Sequence, residues 1–438
     1  MAPLGILIIV ATTIFPAFQL WSLPNVSDQV ALFSQYLGLA ALILMAWGQI
    51  LATRLPGIET VFGGLDRVYV LHKWAGIIAM AAILLHDTID AEMRDSGPET
   101  FLSELAETLG EMSLYGLLIL VVISVATFVP YHLWKWTHKA MGALFAAGVF
   151  HFVFIMKPFA MGDPAGLYTG AFCAAGVLAY FWTLLPESLR PSKGYKISGL
   201  DKSGGALVVS MTPKGKGITP AAGQFGVLSF GAAGKSEPHP FSFSSIGPDG
   251  ALRVTIKALG DFTTGLERGL AIGQDLRIQG PFGRFRLGEK AREVWVAGGI
   301  GITPFLAGAQ ALRAESGVVD LFYCIRSRDT APHLEELQAM AEAKPNLRLH
   351  LMVSSEGQRV SADKIAEVVG DDLAKARVAF CGPVALREAL RTGLARYGVS
   401  ARQFHYEEFE FRTGVGLQRL AAWVLRRGLE VSRQARGS

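Results

Sequence analysis

Four histidines stand in the apolar first half of this 438-residue chain at matched spacings: His72 and His86 are 14 residues apart, His138 and His151 13 apart. Neutral imidazole is a ligand for transition metals, and haem iron takes one on each axial side. On an α-helix, which turns about 100° and rises about 1.5 Å per residue, 14 residues bring a side chain back to within about 40° of its starting face, roughly 21 Å further along. Two such helices running in the same direction would pair His72 with His138 near one membrane surface and His86 with His151 near the other. The 13-residue spacing fits less well, since it leaves His151 about 140° from the face of His138 and asks for local unwinding or a bulge near Gly142 or Gly148. Each histidine alone reads equally as a hydrogen-bonded interfacial residue. Four at matching depths read as a ligand set, because ionisable groups inside a bilayer are costly and functional.

A second constellation lies in the later half. Gly298-Gly299-Ile300-Gly301-Ile302-Thr303-Pro304 follows an apolar strand at 293–297 and precedes a helical stretch at 305–313. Glycines permit a tight turn and close approach by a pyrophosphate, the helix N-terminus supplies free N–H groups, and proline suits the first helical turn. Arg326 and Arg328 follow the next strand, 318–325, where an arginine can hold a ribose 2′-phosphate or simply face solvent. Strands at 348–353 and 377–380 follow, the second running into Cys381-Gly382-Pro383, whose thiol is either a nicotinamide contact or a buried structural group. Between the two constellations stand His239-Pro240-Phe241-Ser242 and Gly260-Asp261-Phe262-Thr263. The first can present a hydroxyl and backbone groups to a ring system, or be an ordinary serine-rich strand.

The elements that must position these residues differ between the halves. A membrane helix needs roughly 20 mostly apolar residues, and six candidates appear at 4–20, 30–52, 68–85, 112–129, 140–156 and 167–185. The first lacks the basic flank and cleavage site of a signal peptide and is read as a span. Arg54 and Arg67, then Lys135 and Lys139, then Arg190, Lys193 and Lys196 flank one side, whereas Asp87, Asp90, Glu92, Asp95, Glu99, Glu104 and Glu107 lie on the other. The positive-inside rule places both termini and the whole later half in the cytoplasm. Residues 103–109 read as a short amphipathic helix on the outer surface, and His132 as a loop residue beside interfacial Trp134 and Trp136.

Beyond residue 187 the composition turns to that of a soluble protein. Short strands at 206–211, 224–230, 252–258 and 275–279 suggest a small antiparallel barrel, and βα alternation from Arg292 suggests a parallel sheet. The fold class is therefore a six-helix membrane bundle, a cytosolic β-barrel and an α/β nucleotide-binding domain. The domains are 1–187, 188–288, 289–411 and a basic amphipathic tail at 412–438, which either touches the inner membrane surface or packs as a surface helix. The net charge of +4 and the lack of a Lys/Arg block give no support to nucleic-acid binding. Three cysteines without CxxC spacing indicate neither a disulfide framework nor a zinc site. No EF-hand loop appears.

Taken in order, these motifs resemble the family of NADPH oxidases and ferric reductases, over roughly residues 30 to 411. The resemblance implies two b-type haems, the inner on His72 and His138 and the outer on His86 and His151, with the 14 and 13 spacings of that family. It implies FAD contacts by His239, Pro240, Phe241 and Ser242, and by Lys257 and Thr263, although this chain has Lys257 and Phe262 where Arg and Trp are more familiar. A terminal aromatic that stacks on the flavin corresponds to Phe409 or Phe411. NADPH contacts fall to Gly299, Ile300, Gly301, Thr303, Pro304, Cys381, Gly382 and Pro383, with Arg326 or Arg328 at the 2′-phosphate.

The implied activity is electron transfer across the inner membrane from cytosolic NADPH through FAD and two haems. Superoxide formation from O₂ is the leading expectation. A ferric-chelate reductase or an electron-donor subunit for a periplasmic protein are the alternatives, and no obligatory protein partner is expected. A transporter would need a polar pathway, which the spans beyond the four histidines do not offer.

Overall fold

A computed structural model describes residues 3–23, 28–55, 57–89, 100–125, 131–186, 189–231 and 237–406. The chain divides into two compact units, one through Leu184 and one from Leu185.

The first unit is helical: α1 (Pro3–Trp21), α2 (Gln29–Ala52), α3 (Ile58–Phe62), α4 (Leu65–Thr88), α5 (Phe101–Val125), α6 (Tyr131–Phe154) and α7 (Pro164–Leu184). Of these, α1, α2, α4, α5 and α7 are long and apolar enough to cross a membrane. Helix α6 has spanning length, but its first half carries His132, Lys135, His138 and Lys139, which lower its hydropathy. Asp28 caps α2 by accepting from the amides of Val30 and Ala31, satisfying donors that a helix start leaves open. Gly63 and Gly64, at φ 89° and 117°, turn the chain between α3 and α4 through a region that other residues avoid. Helix α2 packs along α4 and α7, and α5 packs along α6. Small residues permit this: a Cβ on Gly176 of α7 would press on Ala46 of α2 and Phe145 of α6.

Three expectations change here. Residues 103–109 are not a separate surface helix but the opening turns of α5, which runs unbroken from Phe101; apolar periodicity continues through the acidic residues, so nothing ends the helix. His132 belongs to α6 rather than to a loop. No unwinding or bulge appears at Gly142 or Gly148, since α6 is continuous from Tyr131 to Phe154.

The second unit has two parts. Strands β1 (Lys193–Ser203), β2 (Ala206–Pro213), β3 (Phe225–Phe230), β4 (His239–Ile246), β5 (Leu252–Ile256) and β6 (Asp275–Phe282) close an antiparallel barrel in the order β1-β2-β5-β4-β3-β6, with α8 (Asp261–Gly269) between β5 and β6. Tyr195, Ile197, Val209, Phe243, Val254 and Ile278 fill its interior. Buried Tyr195 accepts the amide proton of Ile218 on its hydroxyl at 2.9 Å, so its polar end is satisfied. Strands β7 (Arg292–Gly298), β8 (Val318–Ile325), β9 (Leu347–Val353), β10 (Arg377–Cys381) and β11 (Phe404–Tyr406) form a parallel sheet in the order β11-β10-β7-β8-β9. Helices α9 (Thr303–Ala311), α10 (Leu334–Ala343), α11 (Ala362–Val369) and α12 (Val384–Ala395) connect them. Two apolar clusters form around the sheet, one with α9 and α10, the other with α11 and α12. The fully buried Glu293 carboxylate accepts from the amides of Gly288, Glu289 and Lys290 and from the Trp295 indole, which ties the incoming loop to β7.

Candidate functional site

Each of the four helix-borne histidines is anchored through Nδ1. On α4, His72 bonds to the Gly48 carbonyl at 2.9 Å and His86 to the Ser34 carbonyl at 2.9 Å, both on α2. On α6, His138 bonds to the Ser124 hydroxyl at 3.2 Å and His151 to the Ala106 carbonyl at 2.9 Å, both on α5. A carbonyl can only accept, so in the neutral ring Nδ1 of His72, His86 and His151 carries the proton and Nε2 keeps its lone pair. That is the tautomer a metal-ligating histidine needs, held by the outer partner that usually fixes it. Ser34 ties His86 twice, with its hydroxyl also 3.0 Å from Nδ1 and 3.2 Å from the His86 carbonyl.

The 13-residue spacing is carried by a continuous α6, and both of its histidines are anchored on α5. The anchors Ala106 and Ser124 are 18 residues apart on α5, about five full turns, and so share one face. The rings of His72 and His138 come to 5.8 Å between centroids, and Trp134 stacks on His138 at 4.9 Å. Glycines make room: a Cβ on Gly38 would sit 3.4 Å from Nε2 of His86, and one on Gly110 would strike the His151 ring. Among the described residues no three His, Cys, Asp or Glu side chains gather as a metal site. Imidazole Nε2 atoms with free lone pairs fit the donor chemistry that haem iron takes.

In the second unit, two of the motifs meet. His239 of β4 stacks on Phe262 of α8 at 3.7 Å between centroids and 16° between planes. Thr263 is spent on the loop, its hydroxyl accepting from the amides of Leu259 and Gly260 and shaping the start of α8. Pro240 and Phe241 pair in the ladder with Val227 and Gly226. Ser242 is buried, and its hydroxyl has no protein partner among the described residues. Lys257 lies exposed after β5.

The glycine turn and the Cys381-Gly382-Pro383 segment also come together. A Cβ on Gly298 would meet Pro383 and Gly382, and one on Gly301 would run into the Cys381 carbonyl. Gly299 has φ +56° with open space where a Cβ would point. Two of these glycines therefore serve close packing, and the third leaves the turn open to a ligand. Ile300 completes the turn, and Thr303 and Pro304 start α9, which packs on β4. The turn thus lies at the carboxyl end of β7, where open α/β sheets bind ligands. Cys381 ends β10 at 7% exposure. Arg328 is held by Glu356 through two bonds of 2.9 and 3.1 Å, whereas exposed Arg326 has no side-chain partner among the described residues. Phe409, Phe411 and the 412–438 tail lie outside the described residues.

Sequence reading missed the anchors Ser34, Gly48, Ala106 and Ser124, three of which act through backbone carbonyls. It also missed a ring of hydrogen bonds joining barrel to sheet. Thr255 donates to Ser244 at 3.1 Å and meets His333 Nε2 at 2.9 Å; His333 Nδ1 donates to Glu336 at 2.7 Å; Arg253 bridges Glu336 at 2.8 Å back to Ser244. Burial pushes the Glu336 carboxyl up, but bonds from His333 and Arg253 outweigh it and bring it down to about 2. Ser244 sits two residues along β4 from Ser242, so the ring braces the strand that carries the open hydroxyl. Its only sequence signal was the serine-rich end of that strand.

Residues 37–149 match the family described as ferric reductase like transmembrane component, and residues 295–392 the oxidoreductase NAD-binding domain. The carnitine monooxygenase reductase subunit of Escherichia coli (strain K12) is 34% identical over 152 residues, 34% of this chain and 46% of that protein. The beta subunit of the heme-dependent oxidative N-demethylase of Ectopseudomonas mendocina is 34% identical over 145 residues, 33% and 44% of the two chains. The chain spans about half the length of the curated relatives it matches. Among solved structures, an Amycolatopsis cytochrome P450 reductase is similar at 23% identity and TM-score 0.45, covering 50% of this chain and 70% of that one. A Malassezia yamatoensis flavohemoglobin is similar at 17% identity and TM-score 0.47, covering 87% and 96%. The chain thus joins a ferric-reductase-like transmembrane domain to an FAD- and NAD(P)H-dependent oxidoreductase module.

Proposed function

We propose that this protein carries electrons from cytosolic NADPH, by way of FAD and two haems, across the inner membrane to a ferric chelate. The observation that carries the reading is the Nδ1 anchoring of His72, His86, His138 and His151 on two helices, which in His72, His86 and His151 leaves the Nε2 lone pair free to ligate. His72 and His138 would hold the inner haem and His86 and His151 the outer. Bound FAD supplies the conversion of a hydride into single electrons, and bound haem supplies a one-electron relay.

The chain's own residues bind and orient. Gly299, Ile300 and Gly301 receive the nucleotide pyrophosphate at the start of α9, and Thr303 and Pro304 shape that start. Arg326 takes the 2′-phosphate, because Arg328 is committed to Glu356. Cys381, Gly382 and Pro383 line the nicotinamide side. Ser242 offers its hydroxyl to the flavin ring, His239, Pro240 and Phe241 flank it, and Lys257 and the Thr263-shaped loop meet the flavin phosphates. Phe409 or Phe411 would cover the flavin. If each haem were held by two of these histidines, the acceptor would take its electron on the outer side without ligating the iron. Both termini and the reductase module lie on the cytoplasmic side, following the basic flanks.

Of the acceptors considered, the match to ferric reductase like components favours a ferric chelate over O₂. A second reading rests on the curated relatives: the carnitine monooxygenase reductase subunit is by name one subunit of an enzyme, so a protein acceptor outside the membrane is the rival. The test is NADPH-driven turnover of purified, cofactor-loaded protein in air and under argon with a ferric chelate. Fast anaerobic reduction of the chelate and slow turnover in air are expected. Fast turnover in air with dismutase-sensitive cytochrome c reduction would return the assignment to superoxide production, and slow turnover in both would favour a protein acceptor.

A further inference from the structure

The nucleotide turn occupies the carboxyl ends of the parallel strands, but a cavity of the second unit opens at their amino ends. It has a volume of about 820 Å³, within the size range of small-molecule sites. Arg292 and Arg377, the first residues of β7 and β10, form its floor, and Lys290, Lys375 and Arg402 stand at its rim. Strand β7 has seven residues, which puts this cleft roughly 20 Å from Gly298 along the sheet. It is not an extension of the NAD(P)H crevice.

The charge balance of the cleft is one-sided. Five cationic side chains line it against a single carboxylate, Asp372. Arg292 is neutralised from below by Asp320, 2.5 Å away. Arg377 has only Glu289, at 3.6 Å, and its Nε is buried with no hydrogen-bond partner, although the residue is 9% exposed. Lys290, Lys375 and Arg402 have no ion-pair partner among the described residues. Burying a guanidinium N–H without an acceptor is costly. An arginine fork is matched by the oxygens of phosphate, and lysines add point charges around it.

We propose that this cleft is a second anion site, which takes a small soluble molecule bearing a di- or triphosphate group. The phosphate oxygens would accept from Arg377 at the floor, with Lys375 and Arg402 closing over the outer charges. The inference stands apart from the electron-transfer reading, because it uses none of the cofactor-binding residues.

The experiment is a calorimetric titration of full-length, cofactor-loaded protein with inorganic pyrophosphate at fixed ionic strength. Saturating NADP⁺ is present to fill the glycine turn. Saturable one-site binding is expected, weakened about tenfold or more by Arg377→Gln, as loss of a charge-assisted hydrogen bond predicts. The exposed pair Lys375→Ala/Arg402→Ala, which leaves the floor and the fold untouched, should weaken it to a similar degree. Absence of saturable binding to the parent protein would overturn the proposal. So would a signal that NADP⁺ abolishes, or an affinity unchanged in the Lys375→Ala/Arg402→Ala protein.

Discussion

The imidazoles of His72 and His138 lie 5.8 Å apart between centroids, set edge-on at 61°, each tied by Nδ1 to a different neighbouring helix. The pair is therefore held from outside by α2 and α5. His72→Leu keeps an apolar side chain of similar bulk on α4 but removes one ligand. The expected outcome is loss of one of two b-type haem signals in the reduced-minus-oxidised spectrum, with NADPH reduction of the flavin unchanged. Retention of both haem signals would remove His72 from the ligand set.

The anchors differ in what mutation can take away. His138 depends on a side chain, the Ser124 hydroxyl, whereas His86 keeps the Ser34 carbonyl even when the Ser34 hydroxyl is gone. Ser124→Ala should therefore lower inner-haem affinity by roughly tenfold or more, in line with the loss of other outer-shell partners of ligating histidines. Ser34→Ala should cost clearly less. Haem content after dilution or haem titration of the apoprotein measures both, and equal losses would mean that the tautomer is set by something other than these bonds.

Nucleotide preference should separate the two arginines after β8. Arg328 is forked onto Glu356, while Arg326 is exposed and has no side-chain partner among the described residues. Arg326→Ser should cut kcat/KM for NADPH about tenfold while leaving that for NADH nearly unchanged, as expected for one charge-assisted contact to phosphate. Arg328→Ser should alter the ratio little. A collapse of the ratio only in Arg328→Ser would exchange their roles.

Much of this architecture could be read from residue types because the signals are local. Apolar runs marked the long helices, and Gly298–Pro304 marked a strand–turn–helix joint. What could not be read depends on contacts between distant segments. Ala106 and Gly48 act through carbonyls that every residue possesses, so no residue type betrays them. The first barrel strand, Lys193–Ser203, resembles a linker because its outward positions are charged and only Tyr195 and Ile197 point fully inward. The acidic residues near 104 suggested a helix separate from the span, yet α5 is one helix, because exposed glutamates do not interrupt it. The His138–His151 spacing on α6 predicts a helix distortion, yet α6 stays continuous and a second helix, α5, supplies both anchors.

The Glu336 carboxylate gives the barrel–sheet junction a defined pH response. Its folded value is brought down to about 2 from an ordinary 4.5. A depressed carboxyl contributes stability above its unfolded value and loses it as the pH falls through the folded one. The contribution should thus be constant at neutral pH, begin to fall near pH 4.5 and vanish near pH 2. With the side chain about a quarter exposed (28%), a shift of this size corresponds to about 3 kcal/mol at most. His333→Ala removes the Nδ1 donor to Glu336 and one of the two partners of Thr255, which should cost about 1–3 kcal/mol. Thermal unfolding of the full-length protein between pH 3.5 and 8, with and without Glu336→Gln, tests this. The parent should lose stability toward pH 3.5 more steeply than Glu336→Gln, and parallel profiles would mean that the ring contributes nothing through its charge. His333→Ala should also slow NADPH reduction of the flavin at unchanged FAD content, because β4 would no longer be braced two residues from Ser242.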